Sequence, residues 1–386
     1  MNTTKIKDVC VVVSGTTPKS TEKKYWNGTH VWITPAELTE DSFIVSDSER
    51  HITDEAVKAT GLKPFPKGTV LLSSRAPIGK VAIAGCDMYC NQGFKNLICS
   101  ESIYNLYLYY FLKSKTEYLN SLGRGATFKE ISKGIVEDIN IPFPAYDEQI
   151  HIAKQLQKIT ELIALKKRQY RYLDDIIRSR FLELFGDPLA GNAKWPIHNL
   201  CMVADAIDPQ PSHRTPPIDK NGIPYISIKD CDYNTGKIDF EKARKVNVKV
   251  LQEHKTRYQI HNGDMMIGKI GTIGYPVFLP TYETYTLSAN VILIQPNKSK
   301  VQPCFLKYSL ESPYVESQFD KAKHSTSQSA FGILKIRKIK VMNPELSIQN
   351  QFADFVNQVD KSKMAVQKSL DELETLKKSL MQTYFG

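Results

Sequence analysis

The sequence predicts an α+β fold in which two similar mixed α/β domains are separated by two long helices that pair as an intramolecular coiled coil. Three observations support this prediction. Residues 144–186 recur as residues 344–386, both copies carry a heptad-like apolar pattern, and the segments before them share a fainter repeat. A chain of 386 residues exceeds one ordinary core and suits two domains of about 150 residues.

Identical residues stand in register along the recurring segment, and no gap interrupts the match. They are Pro144 and Pro344, Gln149 and Gln349, Ala153 and Ala353, Leu173 and Leu373, Ser179 and Ser379, and the pairs Phe185-Gly186 and Phe385-Gly386. So many matches in one register indicate an internal duplication.

Both copies of the recurring segment place apolar residues three and four positions apart. In the first copy these are Ile152, Leu156, Ile159, Ile163, Tyr170, Leu173, Ile177 and Leu184, and in the second they are Phe352, Val356, Val359, Val366, Leu370, Leu373, Leu380 and Tyr384. The spacing predicts one helix in each copy, beginning after the proline, ending at the glycine and spanning about 60 Å.

Some positions in this apolar pattern are charged in one copy and apolar in the other. The charged residues are Lys166, Arg180, Lys363 and Lys377. Neither stripe therefore suits a homodimer, and the pattern favours pairing of the two helices within one chain. The alternative is two unrelated amphipathic helices packed on separate domains.

The segments that precede the helices share a common plan. The sequence "GTVLLSSRAPIGKVAIAG" from Gly68 matches "GDMMIGKIGTIGYPVFLP" from Gly263, and "VWITPAEL" from Val31 matches "PYISIKDC" from Pro224. An amphipathic helix is predicted downstream of both. The predicted organisation is a first domain, a helix, a linker with a second domain, and a second helix, over residues 1–143, 144–186, 187–343 and 344–386.

The composition describes a basic globular protein. The net charge is +10 and the pI is about 9.0, which suits a polyanionic partner, most often nucleic acid; the alternative is a basic surface without a special partner. Seven dispersed cysteines fit a reducing cytosol. Because no apolar run is long enough for a bilayer and the first residues lack a signal-peptide pattern, a cytoplasmic protein is expected.

Several motifs follow one another in a specific order. They are "SGTTPKSTEKKYW" from Ser14, "SSRAPIGKVAI" from Ser73, "GATFKEIS" from Gly125, "IPFPAYDEQIHIAKQL" from Ile141, and "LFGDP" from Leu184 with Trp195 after it. In this order and in its duplicated layout the chain resembles, over essentially its whole length, the specificity (S, HsdS) subunits of type I restriction–modification systems. The second copy departs from the pattern, with "AIDPQPSHRTPP" from Ala206 in place of "SGTTPKS".

The resemblance implies two target-recognition domains separated by two antiparallel conserved helices. Each domain is expected to read one half of a bipartite, asymmetric site in double-stranded DNA. The helices are expected to set the spacing and to dock two methyltransferase (M) subunits, and restriction (R) subunits join to form the nuclease. No cofactor is expected in this chain, since S-adenosylmethionine, ATP and magnesium are expected on partner subunits.

Motifs for catalysis are weak. The "NPEL" at Asn343 lacks the second proline and the aromatic residue of an adenine-methyltransferase motif. The stretch from Gly263 has phosphate-loop spacing, but Ile270 stands where Ser or Thr would hold magnesium, so a β-turn is favoured. Cys86 and Cys90 lack a second ligand pair for zinc. No catalytic residue and no metal site is predicted, and the chain is expected not to be an enzyme.

Candidate DNA contacts are basic and polar residues on predicted loops, since phosphates attract Lys and Arg, and base edges are read by Arg, Lys, Gln, Asn or Ser. In the first domain they are Lys19, Arg75, Lys80, Gln92, Lys95, Arg124 and Lys129, and in the second they are His213, Arg214, Lys229, Lys269, Lys323, His324 and Ser325. The alternative for each is an ordinary solvated side chain. The tyrosine-rich "YNLYLYYFL" is predicted to be helix core rather than a base-stacking platform.

Docking of M subunits is predicted on the outer faces of the long helices, where the alternative is again a plain solvated face. The candidates are Gln149, Gln157, Lys167, Arg171, Gln349, Asn357 and Gln367. Two other classes of function stay open, a basic scaffold that binds RNA or protein without sequence-specific DNA recognition, and a stand-alone nuclease or methylase. Salt-sensitive binding to one bipartite duplex favours the specificity subunit, and turnover by the isolated chain favours the enzyme.

Overall fold

The contacts divide the chain into unit 1, residues 1–168 with 366–386, and unit 2, residues 169–365. The computed structural model describes residues 2–75, 77–125, 129–212, 214–232, 236–269, 274–324 and 332–386, with the side chains of residues 322–324 left out. Each unit contains one globular segment and parts of both long helices.

The globular segment of unit 1 is a mixture of short strands and helices. In chain order these are β1 (Thr3–Lys5), α1 (Ile6–Val9), β2 (Cys10–Val13), β3 (Trp26–Ile33), β4 (Ile44–Val45), β5 (His51–Ile52), α2 (Asp54–Thr60), β6 (Val70–Leu72), β7 (Val81–Ala84), β8 (Tyr89–Cys90), β9 (Asn96–Cys99), α3 (Asn105–Ser114), α4 (Thr116–Leu122), α5 (Lys133–Glu137) and β10 (Asn140–Pro142). The long helix α6 (Tyr146–Phe185) follows and continues into unit 2.

The globular segment of unit 2 has the same kind of composition. Its elements are β11 (Ile197–Asn199), β12 (Ala204–Ile207), β13 (Ile223–Ile226), β14 (Lys245–Val246), α7 (Val248–Lys255), β15 (Met265–Gly268), β16 (Val277–Phe278), β17 (Thr286–Leu287), β18 (Val291–Pro296), α8 (Pro303–Leu310), α9 (Pro313–His324), α10 (Ile333–Arg337) and β19 (Lys340–Met342). The second long helix, α11 (Leu346–Phe385), begins in unit 2 and ends in unit 1.

The two units share the order of their strands, except that the larger sheet of unit 1 has a fifth strand, β4, at one side. A larger sheet runs β2-β9-β6-β7-β4 in unit 1 and β12-β18-β15-β16 in unit 2, and a smaller one runs β5-β3-β8 and β14-β13-β17. In both smaller sheets the central strand is antiparallel to its first neighbour and parallel to its second. A separate antiparallel pair, β1-β10 or β11-β19, leads into each long helix. The prediction of two similar mixed α/β domains is confirmed.

The glycines that the sequence pairs between the units adopt the same backbone conformation. Gly68 and Gly263 precede β6 and β15 with φ of 88° and 92°, and Gly79 and Gly274 precede β7 and β16 with φ of 92° and 87°. These values lie in the region that favours glycine because it has no Cβ. A Cβ at Gly274 would also stand 2.5 Å from the ring of Phe319. The repeat in the globular segments is therefore a repeat of turn geometry.

The tyrosine-rich stretch forms α3, and its rings lie in the core of unit 1. Tyr107, Tyr109 and Tyr110 are all buried. Tyr107 donates its hydroxyl to the carbonyl of Pro142 at 2.9 Å, and Tyr109 donates to the carbonyl of Ser42 at 2.9 Å. Because the rings are enclosed and their hydroxyls are bonded, the prediction of helix core is confirmed.

The long helices α6 and α11, each of 40 residues, run antiparallel along their shared seam in both units. In unit 1 the hydroxyl of Tyr384 donates to Gln155 at 2.7 Å, and Lys167 pairs with Glu374 at 3.1 Å, so one helix ascends as the other descends. Between these two polar contacts, apolar residues of the predicted seam such as Leu156 are buried.

In unit 2 the same antiparallel pairing continues with other residues. Lys363 bonds Asp174 at 2.7 Å, and the rings of Phe181 and Phe352 lie 5.5 Å apart. Lys363 is one of the charged residues in the apolar pattern, and its carboxylate partner explains why it is accepted there. The predicted intramolecular coiled coil is confirmed.

The Phe-Gly end of each long helix closes the core of one unit. Phe385, at the end of α11, lies 5.2 Å from Tyr107 and 5.8 Å from Phe111 in unit 1, measured between ring centroids. Phe185, at the end of α6, lies 4.6 Å from Phe305 in unit 2. Helices α3 and α8 supply these contacts at equivalent places, so the duplicated Phe-Gly has the same structural role twice.

Candidate nucleic-acid interface

Four loops of unit 1 meet at one edge of its larger sheet. They follow β2 (residues 14–19), follow β6 (73–75 and 77–80), precede β9 (91–95), and follow α4 (123–125 and 129–131). Ser74 joins three of them, because its amide donates to the carbonyl of Gly93 at 2.8 Å and its carbonyl accepts from the amide of Ile131 at 3.0 Å. The fourth is joined by the hydroxyl of Thr17, which donates to Gln92 at 2.5 Å. We call this set of loops the unit 1 loop edge.

The main chain of residues 14–19 is held from beneath by buried aromatic residues. The indole of Trp32 donates to the carbonyl of Thr16 at 3.1 Å, and the indole of Trp26 donates to that of Lys19 at 3.2 Å. The amide of Thr16 donates to the carbonyl of Cys90 at 3.1 Å. A Cβ at Gly15 would stand 1.8 Å from that same carbonyl, so only glycine permits this close approach.

Arg50 is a basic residue near this loop that the sequence did not single out. Its guanidinium carbon lies 3.4 Å from the ring centroid of Trp26, the indole that bonds Lys19. Stacking on an aromatic face leaves the edge of a guanidinium free for a phosphate. Arg50 follows β4 in the chain, where no motif marks it, so only the fold brings it to Trp26.

The predicted DNA contacts of unit 1 differ in their surroundings. Lys19, Gln92, Arg124 and Lys129 are exposed, and Arg75 is half-buried. Lys80 is also half-buried, and its amine donates to the carbonyls of Pro35 and Leu38. The stretch "GATFKEIS" includes residues 126–128, which lie outside the described residues. Four of the candidates are thus presented to solvent at the loop edge, and their contact with DNA stays a prediction.

Lys95 requires a correction, because it is buried rather than solvated. It is 7% exposed, and its amine lies 3.0 Å from a carboxylate oxygen of Glu130 and 3.3 Å from the hydroxyl of Ser74. A buried ammonium costs free energy unless charged or polar groups surround it. Lys95, which precedes β9, therefore links its own loop to the loops that follow β6 and α4 in the unit 1 loop edge.

Lys269, in unit 2, requires the same correction. It is 3% exposed, and its amine lies 2.7 Å from a carboxylate oxygen of Asp208. Gly79 and Gly274 follow Ser74 and Lys269 at equal intervals, so Lys269 stands at the place of Ser74. Both units therefore bury a lysine amine beside the residues that follow β6 or β15. The lysine precedes β9 in unit 1 and follows β15 in unit 2, and its carboxylate partner differs.

The loop after β12 in unit 2 is also held by a buried aromatic residue. The hydroxyl of Tyr225 donates to the side-chain oxygen of Gln210 and accepts from the amide of Ala289 at 3.0 Å. The side-chain amide of Gln210 in turn donates to the carbonyl of Arg214. This chain of hydrogen bonds ends at an exposed basic residue.

The other predicted DNA contacts of unit 2 are described unevenly. Arg214 and Lys229 are exposed. His213 and Ser325 lie outside the described residues. Lys323 and His324 lie in the last turn of α9, and their side chains are not described.

Two of the predicted docking residues on the long helices also require correction. Gln149 and Gln349 are 0% exposed, so they do not lie on an outer face. Gln149 accepts from the amide of Tyr104 at 2.9 Å, and Gln349 accepts from the amide of Gln302 at 2.8 Å. Tyr104 and Gln302 are the residues that precede α3 and α8. The duplicated glutamine therefore joins each long helix to the globular segment of its unit.

The remaining docking candidates lie at the surface of the helices. Gln157 is half-buried and donates to Glu161, Lys167 is exposed and pairs with Glu374, and Gln367 is exposed and donates to Asp371. Arg171 and Asn357 are exposed. Their contact with a partner stays a prediction.

Several buried groups have shifted protonation equilibria that follow from their surroundings. Burial raises the pKa of the Cys90 and Cys231 thiols to about 12, so both are neutral at physiological pH. Burial, with a smaller contribution from Arg257, lowers the pKa of His254, whose ring lies 2.6 Å from the hydroxyl of Thr286.

Over the part of the chain that the structure describes, no helix is both long and apolar enough to cross a membrane.

A family model of the type I restriction modification DNA specificity domain matches residues 1–173 and 212–375 of the chain. The chain belongs to this family. Two matches along one chain agree with the two units of equivalent strand order. The resemblance to type I specificity subunits that the motifs predicted is confirmed.

Individual members of the family match parts of the chain. It is 44% identical over 186 residues to the type I restriction enzyme MjaIX specificity subunit of Methanocaldococcus jannaschii, covering 47% of this chain and 43% of that protein. It is 28% identical over 183 residues to the EcoR124I/EcoR124II specificity subunit of Escherichia coli, covering 43% of this chain and 45% of that one. The matched part of the chain thus spans less than half the length of each relative.

Two solved structures share the fold over its whole length. One is the S subunit of a type I restriction–modification system from M. genitalium, with a TM-score of 0.58 at 16% identity, covering 100% of this chain and 96% of that chain. The other comes from a structure concerned with complex assembly and conformational transition of the type I system, with a TM-score of 0.63 at 16% identity, covering 100% and 97%. The likeness to these family members concerns the fold.

Proposed function

We propose that the chain is the DNA-specificity subunit of a type I restriction–modification complex and that each unit reads one half of a bipartite, asymmetric site in double-stranded DNA. The observation that carries this proposal is one fold used twice with different side chains on equivalent loops. Where unit 1 presents Thr17, Lys19 and Gln92, unit 2 presents Arg214. Different donors and acceptors on one scaffold favour two different half-sites.

The charge of the chain supports a nucleic-acid partner. Its net charge is +10, and exposed basic residues lie on the loop edge of unit 1 and on the loop after β12 in unit 2. Basic side chains release counterions when they meet phosphates, so binding is expected to weaken steeply as salt is raised. Phosphate contacts set orientation and base contacts set specificity, and the loop edge offers groups for both.

The long helices are proposed to set the spacing of the half-sites and to dock two methyltransferase subunits. A helix of 40 residues, at 1.5 Å per residue, is a spacer of about 60 Å. The helices are copies of one another, which suits two identical partners. Restriction subunits join the same complex. In this proposal methylation and cleavage take place on partner subunits, which hold S-adenosylmethionine, ATP and magnesium, and this chain supplies recognition.

The proposal is tested by a genome-wide map of N6-methyladenine in the host, with the gene intact and deleted. The expected result is that one split, asymmetric motif loses its methylation when the gene is deleted. Methylation of that motif should return when the gene is supplied on a plasmid. Copurification of a methyltransferase with the tagged chain is the accompanying measurement. An unchanged map with no copurifying methyltransferase would refute the proposal, and salt-sensitive binding to RNA of any sequence would then favour a basic scaffold.

A further inference from the structure

Both units contain a polar segment, after the first strand of the larger sheet, whose main chain is fixed by a buried aromatic residue. In unit 1 it is residues 14–19, and in unit 2 it is residues 208–212 with Arg214. We call these the anchored segments. Each follows the first strand of the larger sheet, β2 or β12, so the two occupy equivalent places in the fold.

The two aromatic residues that fix the anchored segments also occupy equivalent places. Trp32 lies in β3 and Tyr225 in β13, each on the central strand of its smaller sheet and each paired with the parallel neighbour. Both strands are followed by a short turn with the same reciprocal cap, formed by Thr34 with Glu37 and by Ser227 with Asp230. Trp32 and Tyr225 therefore correspond both in the sequence repeat and in their place in the fold.

The hydrogen bonds of these aromatic residues lead outwards to the surface. Trp32 is 2% exposed, and its indole N–H donates a hydrogen bond outwards to the main-chain carbonyl of Thr16 in the exposed loop. In unit 2 the path from the buried hydroxyl of Tyr225 passes through half-buried Gln210 to the carbonyl of Arg214. In both units a buried polar group thus fixes the main chain that carries an exposed basic residue, Lys19 or Arg214.

Fixed donors discriminate between bases better than mobile ones. A side chain that must be ordered on binding loses conformational entropy, and a mobile one accommodates more than one base edge. We propose that Trp32 and Tyr225 are positioning residues for base recognition, each holding the anchored segment of its own unit in register with one half-site. This inference rests on the proposed function.

The unit 1 anchored segment presents a defined reading group. Thr17 donates to the side-chain oxygen of Gln92, and this bond orients the amide of an exposed glutamine. An oriented glutamine can donate from its nitrogen and still accept at its oxygen, which is the arrangement that reads adenine in the major groove. Gln92 is therefore the reading group assigned to unit 1, and the exposed Arg214 lies on the equivalent segment of unit 2.

The decisive variant is Tyr225→Phe, which keeps the buried ring and removes only the hydroxyl. Gln210 then loses its donor and can turn to water, so the anchored segment of unit 2 loses its fixed geometry. The matched control is Tyr258→Phe, because the hydroxyl of Tyr258 is buried in the same unit and accepts from the amide of Leu287 at 3.2 Å, but does not reach the anchored segment.

Each variant replaces the chromosomal gene, and N6-methyladenine is mapped over all genomic sites that differ from the motif by one base. Loss of a positioning hydrogen bond is expected to raise methylation of single-mismatch sites about tenfold in Tyr225→Phe, with the mismatches confined to one half of the motif. Trp32→Phe is expected to relax the other half, and Tyr258→Phe to leave both halves strict. Gln210→Ala, which alters a half-buried side chain, is expected to reproduce Tyr225→Phe.

Three results would overturn the inference. These are an unchanged pattern in both Tyr225→Phe and Gln210→Ala, equal relaxation of both halves, and loss of all methylation by a Tyr225→Phe protein that melts at the same temperature as Tyr258→Phe. Failure of the proposed function looks different, because the map would then be indifferent to deletion of the whole gene.

Discussion

Phe385 closes the core of unit 1 from the end of α11, and Phe385→Ala is expected to loosen that unit selectively. The side chain is 1% exposed and packs edge-on against Tyr107 and Phe111. Its truncation removes a buried ring and leaves a cavity, a change that costs about 3–5 kcal/mol. Since about 1.4 kcal/mol is a tenfold change in an equilibrium, the open fraction of unit 1 should rise by at least about a hundredfold.

Hydrogen exchange of the purified chain measures this effect unit by unit. In Phe385→Ala the amides of α3 should lose protection while those of α8 keep it, and Phe185→Ala should give the reverse pattern, because Phe185 packs on Phe305 in α8. Met364→Ala is the control on the same helix, since Met364 is 73% exposed and its loss should leave both units unchanged. Unchanged protection of α3 in Phe385→Ala, or equal loss in α3 and α8, would refute the reasoning.

Three further predictions concern buried polar groups. Lys269→Met leaves the carboxylate of Asp208 without its amine and should lower the free energy of unfolding by about 3 kcal/mol, measured by urea titration. Adding Asp208→Asn to the same chain should recover part of this loss. If the effects of the two substitutions are additive instead, the pairing is contradicted. Gln149→Leu removes the acceptor of the partly buried main-chain amide of Tyr104 and should cost about 1–3 kcal/mol by the same assay. Gln351→Leu, at an exposed position, should change stability by less than about 0.5 kcal/mol. Because burial lowers the pKa of His254, the unfolded chain binds a proton there more readily than the folded chain. The free energy of unfolding should therefore fall as the pH drops below about 6.5. His254→Gln should make this dependence on pH weaker, and an unaltered dependence would show that other groups cause it.

The long helices could be predicted because their signals are local. The apolar period, the starting proline and the final glycine of each copy lie within one segment, and the structure places helices at Tyr146–Phe185 and Leu346–Phe385. The burial of Gln149 and Gln349 could also have been inferred. Each stands three residues before the first residue of the apolar pattern, Ile152 or Phe352, and so lies on the inner face of its helix.

The loop edge could be predicted only in part, because its contacts join distant parts of the chain. Lys95 meets a carboxylate 35 residues later, and Lys269 meets one 61 residues earlier. No periodicity links such residues, so a lysine beside a glycine reads as a surface residue. Trp32 and Tyr225 did carry a signal, since they stand at matching positions of "VWITPAEL" and "PYISIKDC", but their hydrogen bonds to the anchored segments become visible only in the fold.

The contact of Phe385 with Tyr107 and Phe111 also fixes an order of assembly during synthesis. These tyrosine and phenylalanine rings leave the ribosome early, but the ring that covers them follows only after all of unit 2 has been made. At about 5–20 residues per second, the apolar surface on α3 stays uncovered for tens of seconds. Unit 2 does not wait in this way, because Phe185 is made before the strands and helices that it packs against. The unit that is translated first is therefore completed last.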